Sequence, residues 1–511
     1  MGSALSKDIY DHVDLRLMAQ TAVGVAVVAQ LYRSWRNRIN VPTYGGVLSF
    51  SRLLSTIRMT LAGGDLWRGK YAKHSMILMP AAERWNLIVR NQYIEELSRA
   101  GDDVLSFIDA TNEGLQVEHT LGHSTDQDNL YHVHVIRHHL TRHLGVIFPD
   151  MYDEICHAYE DEFSGSEWKE IELFTSMLPI VARASNRIFV GLPLCRNKQW
   201  LSHMIDGASS CISTAAIINL FPKILRPIVG RLLSRSKARK EYGSALAREI
   251  IEDQLKLAPE ERPDDYISWL LSSAPPEEHN VDDITQRLIL SNFAAIHTSS
   301  LNVTHIIYWL LARPEYIAPL REEIESVTSR LGWTKNGISM MPKLESFMKE
   351  CMRLGPLGAV TMLRKARQPF TFSNGVMLPV GATVGVHLYA THYDENNYPD
   401  ALKFDGFRFI GKEGEDDNVE QKDSTSKAKA STYAITPNYL LFGYGRHACP
   451  GRFFATMEVK TMVAYLIYHY DIEWAESQSK GVEGYRPPDF WIGTSVIPNP
   501  KARVKIRERR A

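Results

Sequence analysis

Cysteine is scarce in this sequence: five in 511 residues, at 156, 195, 211, 351 and 449. An odd, scattered set with no C-x-x-C pair offers neither a disulfide framework nor the spacing of a structural zinc or dithiol site. Any cysteine chemistry therefore rests on one thiol, and a reducing compartment such as the cytosol or the cytosolic face of a membrane fits. Net charge is missing too, since 58 Lys and Arg against 59 Asp and Glu leave −1. That balance excludes the concentrated basic surface a nucleic-acid partner demands. Apolar runs stop short of the roughly 20 residues that comfortably span a bilayer. No internal repeat of about 20 to 50 residues is present, which removes solenoids and propellers.

The nearest approach to a spanning segment is 17–32 (LMAQTAVGVAVVAQLY), interrupted by Gln20, Thr21 and Gln30. Asp8, Asp11 and Asp14 precede it, and Arg33, Arg36 and Arg38 follow. A cleaved signal peptide wants a basic leading region, whereas this order keeps the basic flank, and with it the bulk of the chain, in the cytosol. Residues 1–44 are therefore expected to form an N-terminal membrane anchor and hinge; a buried or amphipathic helix is the alternative. Residues 45–511 read as one mainly α domain with short β segments in the last third. Within it, 411–430 (GKEGEDDNVEQKDSTSKAKA) has almost no apolar residue and is expected to be a solvated insertion. The stretch 215–233 (AAIINLFPKILRPIVGRLL) reads either as a core helix pair broken at Pro222 and Pro227 or as a membrane-contacting patch. In the second reading Lys223, Arg226 and Arg231 meet the headgroups.

One segment carries most of the chemistry: 442–451, FGYGRHACPG. Gly443, Gly445 and Gly451 permit tight turns and close approach to a flat ligand. Pro450 suits the first position of a helix. Beyond it Ala455, Val459, Met462, Val463 and Leu466 repeat at helical spacing. Cys449 is then expected at a helix N-terminus, where unpaired amides stabilise an anion and lower a thiol's pKa. On this physics alone, an inert buried cysteine beside a turn remains open.

The segment resembles the heme-binding loop of cytochromes P450, Phe-x-x-Gly-x-(Arg or His)-x-Cys-x-Gly, with Phe442, Gly445, His447, Cys449 and Gly451 in its fixed places. The resemblance implies Cys449 as thiolate ligand of a heme b iron. It also implies His447, where most members carry Arg, as a propionate donor, with Arg446 beside it. Glu350 and Arg353, three apart on one helical face, resemble the family's Glu-x-x-Arg pair, and Arg408 in KFDGFRF is its expected third member. Gly406 stands near the place of a customary Pro. Arg364 in VTMLRKARQPF falls where the family places a propionate-binding Arg. Histidines crowd YHVHVIRHHLTRH; His134 with His138 and His139 with His143 are i,i+4 pairs of metal-binding spacing, but no H-E-x-x-H pattern accompanies them. The region resembles the helix that crosses the heme and meets the reductase, without the Trp-x-x-x-Arg common there.

Residues 282–313 run without Pro or Gly and are expected as one long helix. At its middle FAAIHTSS places small and polar side chains in an apolar helix. The hydroxyls of Thr298 and Ser299 can simply bond back to their own helix. By resemblance, Ala294, Ala295, His297 and Thr298 occupy the family's (Ala/Gly)-Gly-x-(Asp/Glu)-Thr beside the heme, with His297 in place of the acid. Thr298, and with it His297 or Ser299, would then relay protons. FAAIHTSS and RIFVGLPLCRN resemble fungal members, among them relatives of ent-kaurene and gibberellin oxidases. The resemblance implies a monooxygenase fed by NADPH through a membrane-bound reductase, sited at the endoplasmic reticulum and acting on a lipophilic, terpenoid-like molecule. Two other readings stay open: a heme-thiolate isomerase or dehydratase, and an inactive membrane-attached lipid-binding relative.

Overall fold

The structure, a computed structural model, describes residues 39–44, 64, 67, 73–80, 85–122, 129–410, 431–479 and 481–509. The expected membrane anchor and most of its hinge, and the solvated segment 411–430, lie outside the described residues. Among the described residues no helix is long and apolar enough to cross a membrane.

Helices dominate. Those that build the site are α1 (Ile94–Arg99), α2 (Phe107–Leu115), α3 (Tyr131–Val135), α4 (Leu144–Phe163), α5 (Leu173–Phe189), α6 (Lys198–Leu220), α7 (Arg226–Leu233), α8 (Val281–Ala312), α9 (Pro342–Leu354) and α10 (Arg452–His469). The longest, α8, starts where Asn280 caps it by accepting the Asp283 amide at 2.9 Å, with Asp282 and Asp283 complementing the dipole of the first turn. It stops at Ala312 because Pro314 cannot continue it. Its apolar side chains Ile284, Leu288, Ile296, Val303 and Ile306 form the centre of the main core. Ile180, Val181 and Ala184 of α5 and Val459, Met462 and Val463 of α10 pack there with them. Two of the polar side chains inside this core find partners there: Asn186 of α5 donates to Asn292 of α8 at 2.7 Å, and Ser300 bonds back to the Ile296 carbonyl at 2.7 Å.

A five-stranded sheet lies beside the helices. Its strands are β1 (Met76–Pro80), β2 (Trp85–Val89), β3 (Leu105–Ser106), β4 (Val360–Ala366) and β5 (Thr383–His387), in spatial order β1-β2-β5-β4-β3. Three of the five belong to the first quarter of the chain, which corrects the expectation of β structure in the last third alone. The run MILMP of β1 is continuously apolar and buried, a pattern that periodicity does not separate from a helix. Pairing decides it: Met76–Pro80 pairs antiparallel with Trp85–Val89, and β2 pairs in parallel with β5.

The stretch 215–233 is a helix pair, as one of its two readings had it, but not a core pair. Leu220 is 70 % exposed, Ile224 83 % and Leu232 80 %. Pro222 lies in the turn between α6 and α7 and Pro227 in the first turn of α7.

Candidate functional site

One cavity of about 640 Å³ lies between the middle of α8 and the segment that carries Cys449. Its walls are mostly apolar and come from α2, α3, β4 and the 115–121 turn, with Ile108, Leu115, Val117, Val133 and Met362 among them.

The floor is a turn-rich loop ahead of α10. Gly443 and Gly445 sit at φ +72° and +76°, where a side chain is strained. At Gly445 a Cβ would also stand 2.9 Å from Ser98 Cβ of α1. The loop closes on itself where the Cys449 amide donates to the Phe442 carbonyl at 2.8 Å. It is tied to the rest of the protein where the Leu440 amide donates to His392 Nε2 at 3.0 Å and the Tyr444 hydroxyl to Glu95 at 2.6 Å. The helix begins at Arg452, with Gly451 as its N-cap, two residues later than Pro450 implied. The Gly451 and Arg452 amides do face the Cys449 sulfur and favour its thiolate, but burial outweighs them and pushes the thiol up. The expectation of a lowered pKa is corrected: two amides do not offset the hydration that the half-buried thiol has lost.

Of the residues singled out in the sequence, Phe442, Gly443, His447, Cys449, Gly451, Arg364, Ala294, Ala295, Thr298 and Ser299 all line the cavity. Gly445, Arg446 and His297 do not. Arg446 is exposed and its guanidinium bonds the Ala100 carbonyl. His297 faces α6, its Nε2 within 3.0 Å of the Ile205 carbonyl and 3.3 Å of Ser209 Oγ. Thr298 bonds back to its own helix, to the Ala294 carbonyl at 2.7 Å and the Ala295 carbonyl at 3.3 Å.

Charge collects at one edge of the cavity. Arg364 is 3 % exposed, donates to the Leu363 carbonyl at 2.8 Å, and has no carboxylate within ion-pair distance among the described residues. Burial draws its pKa down to about 10. Strand β4 turns it inward through a bulge between Thr361 and Arg364, where Met362 adopts φ +53°. His447 stacks on Phe107 at 5.2 Å, and its Nε2 lies 2.7 Å from Asp102 Oδ1. Burial and the nearby Arg364 lower its pKa despite that carboxylate. Arg137 and His132 also line the cavity, and neither was assigned a role from sequence. Arg137 lies on a π-helical turn, Ile136–Leu140, that continues α3, and it donates to the Arg446 carbonyl at 3.1 Å. The π turn shifts the face presented to the cavity, so ideal helical spacing misplaces it.

Behind the floor, Glu350 and Arg353 of α9 are fully buried and doubly bonded at 2.7 Å, and Arg408 joins Glu350 at 3.1 Å. Arg353 also reaches the His392 and Ala401 carbonyls. This cluster ties α9 to the segment leading into the cysteine loop. The histidine pairs place their rings 4.3 Å apart for His134 and His138 and 6.4 Å apart for His139 and His143. Among the described residues no group of three or more His, Cys, Asp or Glu is placed to hold a metal ion.

Comparison with known proteins agrees with this geometry. The family model described as Cytochrome P450 matches residues 106–498. Cytochrome P450 monooxygenase 103 of Postia placenta is 35% identical over 481 residues, covering 92% of this chain and 93% of the relative. Ent-kaurene oxidase of Gibberella intermedia is 32% identical over 429 residues, covering 83% of this chain and 79% of that protein. Among solved structures, retinoic acid bound cyanobacterial CYP120A1 superposes with a TM-score of 0.68 at 18% identity, over 93% of this chain and all of that one. Its similarity concerns the fold. A cysteine loop facing the middle of a long helix across an apolar cavity, and relatives matched along nearly the whole chain, lead to one conclusion: the protein belongs to the cytochrome P450 family and is a P450 monooxygenase.

Proposed function

We propose that this monooxygenase oxidises a lipophilic small molecule of terpenoid type, with heme b held by Cys449 and electrons passed from NADPH by a reductase. The family implies a heme iron and a reductase as electron donor. The residues present fit such a group. The cavity floor offers one half-buried thiol faced by two amides, and its edge offers a buried guanidinium that lacks a carboxylate. A disc with a metal at its centre and carboxylates at its rim complements both. Cys449 would ligate the iron, Arg364 and His447 would hold the rim, and Arg137 stands beside them. That Cys449 thiol faces the cavity's long helix is the observation that carries the reading.

Heme, when bound, supplies the activation of O2 and the oxidation of a C–H bond, with a thiolate ligand favouring O–O cleavage. The chain's own residues do the rest. Apolar walls bind the substrate and keep bulk water out. Ala294 and Ala295 leave room against α8. The proton of Thr298 Oγ1 is engaged by the Ala294 carbonyl, so its oxygen presents lone pairs to the cavity and accepts a hydrogen bond from water. Water held there would pass protons to the heme chemistry. Membrane attachment, at the endoplasmic reticulum, is part of the same reading. The exposed apolar side chains between Ile212 and Leu233, interleaved with Lys223 and Arg231, support it.

Ent-kaurene is the probe of choice because three oxidases of that name are about a third identical to this chain. Holoenzyme, reductase, NADPH and labelled O2 are expected to give a product carrying one labelled oxygen per oxidation. Product formed without O2 or NADPH consumption would instead identify an isomerase. No binding shift and no product across di- and sesquiterpene hydrocarbons would overturn the substrate class.

A further inference from the structure

The histidine run beside the cavity is a sequence feature that the heme reading leaves unused. His134 stands in the last turn of α3, and His138 and His139 follow in the π turn Ile136–Leu140. On an α-helix residues three and four apart are neighbours, whereas a π turn, bonded from i to i+5, also brings residues five apart onto one side. His134 accordingly has His138 beside it, ring centroids 4.3 Å apart, and His139 further off at 6.4 Å.

The rings of this segment differ in what already holds them. His143 meets the His139 carbonyl at 2.7 Å through one nitrogen, and its other nitrogen lies 3.4 Å from Asp264. His132 meets the Arg287 guanidinium at 3.3 Å. His139 stacks on Trp269, centroids 6.1 Å apart. His134 is exposed and His138 half-buried, and among the described residues neither ring makes a hydrogen bond. The backbone therefore holds two imidazoles close together with their nitrogens uncommitted. Neither lines the cavity.

Donor chemistry decides what such a pair can take. No carboxylate lies within ion-pair distance of either ring among the described residues, and the cations nearest His138 besides His134 are Arg142 and Arg137. Magnesium and calcium ask for several oxygen ligands and find none here. Zinc, copper(II) and nickel(II) form coordinate bonds to imidazole nitrogen. Arg137 is drawn aside to the Arg446 carbonyl at 3.1 Å, away from the pair.

We propose that His134 and His138 bind one zinc, copper(II) or nickel(II) ion, with water in the remaining coordination positions. The site is open and exchangeable, unlike a structural zinc site closed by four protein ligands. It also reaches the cavity indirectly. Arg137, which lines the cavity edge, lies between the two ligands in the chain, so the ion clips the turn that presents it.

The test titrates zinc alone into the holoenzyme, freed of any affinity tag, by calorimetry. One zinc per chain is expected, and no binding of magnesium. Loss of an outer-shell partner of a metal ligand typically costs about tenfold or more in affinity, so loss of a ligand in His134→Gln or His138→Gln is expected to cost at least that. His143→Gln is expected to bind as the wild type does. The melting temperature of the wild type should rise with zinc, and that rise should vanish in both ligand variants. Unchanged affinity in both variants, absence of one-to-one binding, or equal binding of magnesium overturns the proposal. Where a variant fails to fold, X-ray absorption at the zinc edge of the loaded wild type decides. Imidazole nitrogen and water oxygen are expected around the ion, and a sulfur ligand or a shell without imidazole overturns the site.

Discussion

Thr298 and Cys449 face the same cavity from opposite sides, and each owes its position to backbone atoms more than to other side chains. Thr298 is fixed by the Ala294 carbonyl; Cys449 is fixed by the turn its amide makes with Phe442. Removing the Thr298 hydroxyl costs no fold-wide contact, so Thr298→Ala is expected to keep its heme spectrum and lose coupling. NADPH oxidised per product formed should rise by about tenfold or more, in the range of a lost acid–base group. Unchanged coupling would place water ordering elsewhere. Single residues were legible to different degrees. Cys449 and Arg364 could be assigned by resemblance because spacing in a loop or before a strand survives folding. The direction of His297 could not, since a helix position says nothing about which neighbour covers it.

Elements carry the stability that keeps this geometry. In α9 the buried Glu350 carboxylate neutralises two guanidinium groups. Glu350→Gln strands both charges, and the expected loss is about 3 to 5 kcal/mol, as for other buried pairs broken on one side. Urea unfolding of the holoenzyme would measure it, and a loss well under 1 kcal/mol would show the cluster to be solvated. Glu345 of α9 pins α10 through Lys460 at 2.7 Å and accepts the Thr432 amide at 2.6 Å. Burial alone would raise its pKa, but Lys460 and Thr432 prevail and hold it at about 2, below the usual 4.5. A depressed carboxyl pKa means stability that is full above about 4.5 and lost as pH falls toward about 2. Glu345→Gln should therefore cost stability near pH 6 and flatten its decline in acid. A parallel decline in both proteins would contradict the pairing. The long helix was legible to within a residue, 282–313 against Val281–Ala312, because Pro and Gly are absent and Pro314 ends it. The start of α10 was not, since Pro450 is equally at home in the turn before a helix.

At the scale of the whole molecule, the cavity exists because α8 crosses the core while the sheet and the cysteine loop close it from the side and below. Helical dominance was readable from composition and periodicity. The sheet was readable only in its later part, β4 and β5 in the last third: β1 and β2 are far in sequence from these, and only pairing across some 300 residues gives their apolar runs an extended form. The 215–233 stretch was readable as apolar, with a core helix pair and an exposed patch left open, because apolar periodicity does not reveal whether a partner covers it. All of these elements converge on Cys449, and the central claim is that its sulfur is the ligand of a heme iron. The most direct measurement is the carbon monoxide difference spectrum of the reduced holoenzyme beside Cys449→Ala. The account predicts a strongly red-shifted Soret band in the wild type, lost in the variant. A wild-type spectrum like that of a histidine-ligated heme, or a variant that keeps the red-shifted band, would contradict it.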